Sequence, residues 1–163
     1  MVDAVNAEVE AAVAAGATVV YTLDWHPPVT PHFAKDGGVW PVHCVADTWG
    51  AQLHPGLVVA EGAEFVHTGI GGEDGYSGFT VRQPVSLEES PTPLHDILRR
   101  RGVERVVVAG LATDYCVKET ALDAVRLGYG TSLLTGAVAA VDLQPGDGDK
   151  ALEEVRAAGA TVV

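Results

Sequence analysis

The stretch "LDWHPPVTPHF" (residues 23–33) places one carboxylate, two imidazoles and three prolines in eleven residues, in a chain with only six histidines. Asp24 and His26 stand two apart, His32 follows six residues on, and His43 lies further along in "WPVHC". One carboxylate and three imidazoles suit a borderline divalent ion such as zinc, iron or manganese. Prolines at 27, 28, 31 and 41 restrict the backbone, which lowers the entropy lost in holding ligands in place. Each histidine alone reads as a solvated loop side chain, and it is the set of four in one loop that points to a metal. His54, His67 and His95 have no such company.

A second stretch, "GLATDYCVKET" (110–120), sets Cys116 just after an apolar run. A thiolate is the nucleophilic form of cysteine, and the free N–H groups of a helix N-terminus favour it and could hold an oxyanion. The spacing predicts Cys116 in the first turn of a helix capped by Thr113 or Asp114. The competing reading is a small buried hydrophobe, the usual state of a free cysteine. Cys44, beside His43, reads as packing.

Several elements must position these groups. Val2, Val5, Val9 and Val13 recur at helical spacing, and Gly16 closes that run. Strands are predicted at 17–23, 64–68 and 104–111, within 130–141, and at the C-terminal "ATVV". Helices are predicted at 93–101, 114–128 and 147–159, and residues 24–57 read as a long loop. This alternation predicts an α/β domain, a parallel sheet covered by helices on both faces. Ligands of such sheets sit outside the carboxyl ends of the strands, where both Asp24 and Cys116 fall.

The totals bound the partners. A chain of 163 residues, 47% apolar and 20% charged, is a prior for one globular domain. A formal net charge of −12 opposes binding to nucleic acid or an anionic membrane. Two cysteines give no disulfide framework, so a reducing, cytoplasmic setting is expected. No apolar run is long enough to cross a bilayer, and the N-terminus has no basic region of a signal peptide.

The motifs "DWHP", "PHF", "WPVHC", "TWGAQLHPGL", "YSGF" and "GLATDYCVKETALDA" occur in one order along the chain. Together they resemble the nicotinamidase branch of the isochorismatase-like cysteine hydrolases, from residue 1 to about 160. The resemblance implies a three-layer α/β/α fold with a parallel sheet. It implies hydrolysis of nicotinamide, or a related small carboxamide, to the acid and ammonia. Asp24, His26, His32 and His43 match the family's metal ligands, with zinc or iron the expected ion and a pyridine-type molecule the expected partner. Cys116 matches the nucleophile. The N–H groups of Ala112 and Cys116 match the oxyanion hole, and Leu111–Ala112 matches a cis peptide. Trp40 matches an aromatic wall of the substrate pocket, and Tyr76 lies near it.

Two departures qualify the match. The family's catalytic Asp ends a first β-strand, which would precede the helix that here begins at Val2. The single domain, 1–163, is therefore expected to be N-terminally short, and Asp3 does not replace that residue. Thr68 stands where a Lys is expected before the glycine-rich loop, and the three lysines at 35, 118 and 150 are elsewhere. Three readings follow: a hydrolase completed by a segment supplied elsewhere, a relative that keeps metal and pocket without hydrolysis, or a plain scaffold. Weak or absent nicotinamide turnover is expected, and an open sheet edge predicts association into at least a dimer.

Overall fold

The computed structural model describes residues 1–163. Helix α1 (Val2–Ala14) comes first and feeds strand β1 (Val20–Asp24). After the long loop, β2 (Glu64–Thr68) pairs with β1 in parallel, Val20 opposite Glu64 and Asp24 opposite Thr68. The loop holds two short 3-10 turns, Ala34–Asp36 and Trp49–Ala51. Helix α2 (Leu94–Arg100) leads to β5 (Arg105–Leu111), and α3 (Lys118–Arg126) to β6 (Gly130–Ala139). Helix α4 (Asp147–Ala157) and β7 (Thr161–Val162) end the chain. β5, β6 and β7 form a second parallel sheet in that order. No helix is long and apolar enough to cross a membrane.

The alternation of parallel strands and helices agrees with the sequence expectation, but two features differ from it. A small antiparallel hairpin, β3 (Thr80–Arg82) with β4 (Glu89–Pro91), was not foreseen. Its strands are three residues each, too short to show a period, and Pro91 is tolerated because this ladder has only edges. The second difference is larger. β1–β2 and β5–β6–β7 are separate sheets and not one.

Between them lies an apolar slot of about 410 Å³. Ala17–Thr22 and Arg105–Ala109 line it as unbroken runs. Successive side chains of a strand point to opposite faces, so an unbroken run means that the strand's edge faces the cavity. Val5 and Val9 of α1 and Leu94 and Leu98 of α2 also border it. Each parallel strand spends alternate backbone groups on one neighbour, and the other set on β1 and on β5 faces this slot.

Two apolar clusters hold the helices on the strands. Val66 of β2 packs with Phe79, with Leu94, Ile97 and Leu98 of α2, and with Tyr129. Leu133 of β6 packs with Val117, with Ala121 of α3 and with Val155 of α4. Full burial of each such Leu or Val side chain stabilises by about 1.5–3 kcal/mol.

Candidate active site at the carboxyl ends of the strands

The long loop folds back along itself as short strand-like bridges, and these bring its histidines together. The His26 N–H donates to the Cys44 carbonyl at 2.9 Å, and Ala46 N–H donates to the His26 carbonyl at 2.8 Å. His43 thereby comes alongside His26. The Ala34 N–H donates to the Trp40 carbonyl at 2.7 Å, which folds Trp40 beside His32. Phe33 is 0% exposed, and its ring lies 5.6 Å from those of His26 and His43 and 5.9 Å from that of His32. It forms the apolar floor of the group.

His26, His32 and His43 each offer a nitrogen within 4.8 Å of the others. His43 Nδ1 lies 2.8 Å from the Pro41 carbonyl, which can only accept, so Nδ1 carries the proton and Nε2 keeps its lone pair. His26 is buried with neither ring nitrogen partnered, a state that costs about 1–3 kcal/mol unless something binds there. Burial lowers the His26 pKa, against the opposing pull of the Asp24 charge, and this favours the neutral imidazole that a metal needs. Asp24 Oδ2 stands 4.0 Å from His26 Nε2 and 3.8 Å from His43 Nε2, at the rim of the trio and not within it. Three imidazoles with a carboxylate at their rim suit a divalent ion by donor chemistry, and the unpartnered His26 nitrogens leave room for such a partner.

Gly69, at φ +80°, makes room for this arrangement, because a Cβ there would overlap the His26 ring. Thr68, at the end of β2, donates from Oγ1 to Asp24 Oδ1 at 3.3 Å. It orients the carboxylate but brings no positive charge. Lys35 pairs with Asp36, Lys118 with Glu119 and Glu154, and Lys150 with Asp147, so no lysine takes up the expected place. His67 packs edge-on against Trp25, ring centres 4.8 Å apart.

Cys116 differs from its expectation. It sits in a π-helical turn, Thr113–Val117, and the α-helix starts only at Lys118. Neither Thr113 nor Asp114 caps it; Ala112 precedes the turn, and the Asp114 carboxylate instead accepts N–H bonds from Val141 (3.0 Å) and Asp142 (2.8 Å). The thiol is not made more acidic. Burial, then the Asp24 charge, pushes it from an ordinary 9.0 up to about 12. Hydrogen bonds from the backbone of Ala112 and Cys116 pull the other way and lose to desolvation. The Leu111–Ala112 peptide is cis.

Trp40 Nε1 donates to the Tyr76 hydroxyl at 2.9 Å, which sets the two proposed pocket residues against each other. Tyr115, which sequence reasoning passed over, closes the corner, 4.8 Å from the Trp40 ring and 5.2 Å from Tyr76. Trp40 lies 6.3 Å from His32 and 6.2 Å from His43, so the aromatic corner adjoins the imidazoles. Tyr115 directly precedes Cys116, and an aromatic residue beside the candidate nucleophile was the available signal. Asp74 was also missed: its Oδ1 lies 2.9 Å from His32 Nδ1, across 42 positions of sequence.

Comparison with known proteins gives a family and a fold. The model of the Isochorismatase domain matches residues 1–163. The nicotinamidase of Escherichia coli is 37% identical over 177 aligned positions, covering 99% of this chain and 81% of that protein. The nicotinamidase/pyrazinamidase of Mycobacterium tuberculosis is 41% identical, over 89% of this chain and 75% of its own. The crystal structure of the pyrazinamidase of Pyrococcus horikoshii in complex with zinc superposes with a TM-score of 0.88 at 37% identity, covering 99% of this chain and 83% of the other.

Proposed function

This chain belongs to the isochorismatase family, in its nicotinamidase branch, and from that premise we propose that it is a slow amide hydrolase of nicotinamide-type carboxamides with Cys116 as nucleophile. The observation that carries the reading is the meeting of His26, His32 and His43 within 4.8 Å, with the buried His26 nitrogens unpartnered. Asp24, His26, His32 and His43 would hold a divalent ion, zinc or iron first. Such an ion supplies an electrophilic anchor for a pyridine nitrogen. Trp40 and Tyr76, with Tyr115, would wall the ring and exclude water from it.

The Cys116 sulfur then forms a bond to the carboxamide carbon, the carbon–nitrogen bond breaks, and ammonia leaves with the thiol proton. Water cleaves the resulting thioester and returns the thiol and the free acid. The amides of Ala112 and Cys116 would hold the oxygen as it gains charge. Proton transfer is the weak part. Asp24 is the carboxylate whose charge reaches Cys116, and it is tied to Thr68.

A second reading keeps the ion and the ring pocket and drops hydrolysis. It is favoured by the neutral Thr68 hydroxyl beside Asp24, where a cation would favour thiolate. A coupled ammonia assay with nicotinamide, on zinc-loaded protein whose metal content is measured in the same batch, separates the two. Ammonia release that Cys116→Ala abolishes supports the hydrolase, at a rate below the usual 1–10³ per second. Zinc-dependent nicotinamide binding without ammonia supports the second reading. Neither binding nor release rejects both.

A further inference from the structure

Of the three clustered imidazoles, His32 alone has a carboxylate on its outer nitrogen. Its Nδ1 lies 2.9 Å from Asp74 Oδ1. An ionised carboxylate can only accept, so Nδ1 carries the proton and Nε2 is left with its lone pair.

Asp74 is itself firmly held. Its Oδ1 also accepts the Gly75 N–H at 2.8 Å, and its Oδ2 faces Arg82 Nη2 at 3.4 Å. Two backbone hydrogen bonds of 2.7 Å join Asp74 to Arg82 at the end of β3. The hairpin that no sequence pattern announced thus braces a carboxylate against a buried imidazole. His43 has an equivalent arrangement, with the Pro41 carbonyl on its Nδ1. Two of the three rings are therefore fixed from behind, each with Nε2 left free.

We propose that Asp74 is a positioning residue, which locks His32 in its Nδ1–H tautomer and turns Nε2 toward the ion site shared with His26 and His43. This rests on the metal reading above. Carboxylates behind metal-binding histidines typically change metal affinity 10–100-fold. A purely architectural role, tying the glycine-rich loop to Arg82, would leave both tautomer and affinity unchanged in a folded variant.

Long-range ¹H–¹⁵N NMR on metal-free protein reads the tautomer, and competition against a chromophoric chelator reads the zinc dissociation constant. Wild type should show His32 with Nδ1–H. Asp74→Ala should lose that preference and bind zinc 10–100-fold more weakly. Asp74→Asn, which keeps an acceptor oxygen but no charge, should fall between the two and decides the matter if the alanine variant does not fold. Wild-type His32 in the Nε2–H tautomer, or a folded Asp74→Ala within twofold of wild type for zinc, overturns the proposal. Wild type with the Nδ1–H tautomer but no zinc uptake removes the ion assignment and not the orientation of His32.

Discussion

Alkylation of Cys116 by iodoacetamide should be slow at neutral pH and should keep accelerating well past the point where an ordinary thiol levels off. Only the thiolate reacts. At the ordinary value of 9.0 about a tenth of a thiol is ionised at pH 8, and at about 12 the fraction is about one in ten thousand. That is about a thousandfold less reactive species. A less acidic thiol is the better nucleophile, with a Brønsted slope of about 0.4–0.5, which returns a factor of about 16–32. The net expectation at pH 8 is about 30–60-fold slower than the same cysteine in the unfolded chain. Restricted access would slow the reaction equally at every pH, so the slope is the decisive quantity. The rate should rise about tenfold per pH unit from 7 to beyond 10 without a plateau. Asp24→Asn should accelerate it, because the Asp24 charge is the second cause of the shift after burial. Peptide mass spectrometry resolves Cys116 from Cys44. A plateau at or below pH 9 would refute the reasoning and restore the view that the turn's amides make this thiol acidic. The sign for stability follows: the folded state keeps a proton that the unfolded chain gives up, so this thiol weakens the fold as pH rises from about 9 toward about 12.

Gly69→Ala should reduce zinc uptake at least tenfold with circular dichroism retained, because the new Cβ would displace the His26 ring; unchanged occupancy would contradict that placement. Phe33→Ala should lower the unfolding free energy by about 3–5 kcal/mol in denaturant titrations, and a loss under 1 kcal/mol would show that the loop collapses around the gap. Thr68→Lys alone should raise ammonia release by less than about tenfold, since charge without a proton donor leaves departure of ammonia unaided; a thousandfold gain would place the defect at Thr68. Light scattering at tens of micromolar should give at least a dimer, because Val107 and Leu111 on β5 stay 60% and 62% exposed; a monomer would count against it.

Much of this architecture is legible in the chain because local pattern and tertiary role coincide. The strands expected at 64–68 and 104–111 fall within a residue of β2 and β5. The strand expected at 17–23 begins at Val20 and runs on to Asp24, because the Ala17 N–H is spent on the Ala12 carbonyl at the end of α1, 2.9 Å away. His26, His32 and His43 were legible because one proline-rich loop carries all three. Asp74 was not, since its bond to His32 exists only after the glycine-rich loop has docked on β3. The acidity of Cys116 was misjudged for a similar reason. A sequence shows where a turn's N–H groups will point, while the desolvation that outweighs them depends on what packs above the sulfur.

The slot between β1 and β5 reaches beyond stability. Asp24 and His26 ride on or beside β1, while Cys116 follows β5, and no hydrogen-bonded ladder joins those strands. The spacing between the imidazoles and the sulfur is therefore not fixed by backbone hydrogen bonds between the two strands. The two halves of the site should accordingly adjust their separation by small shifts of one sheet against the other, with every strand and helix kept in place.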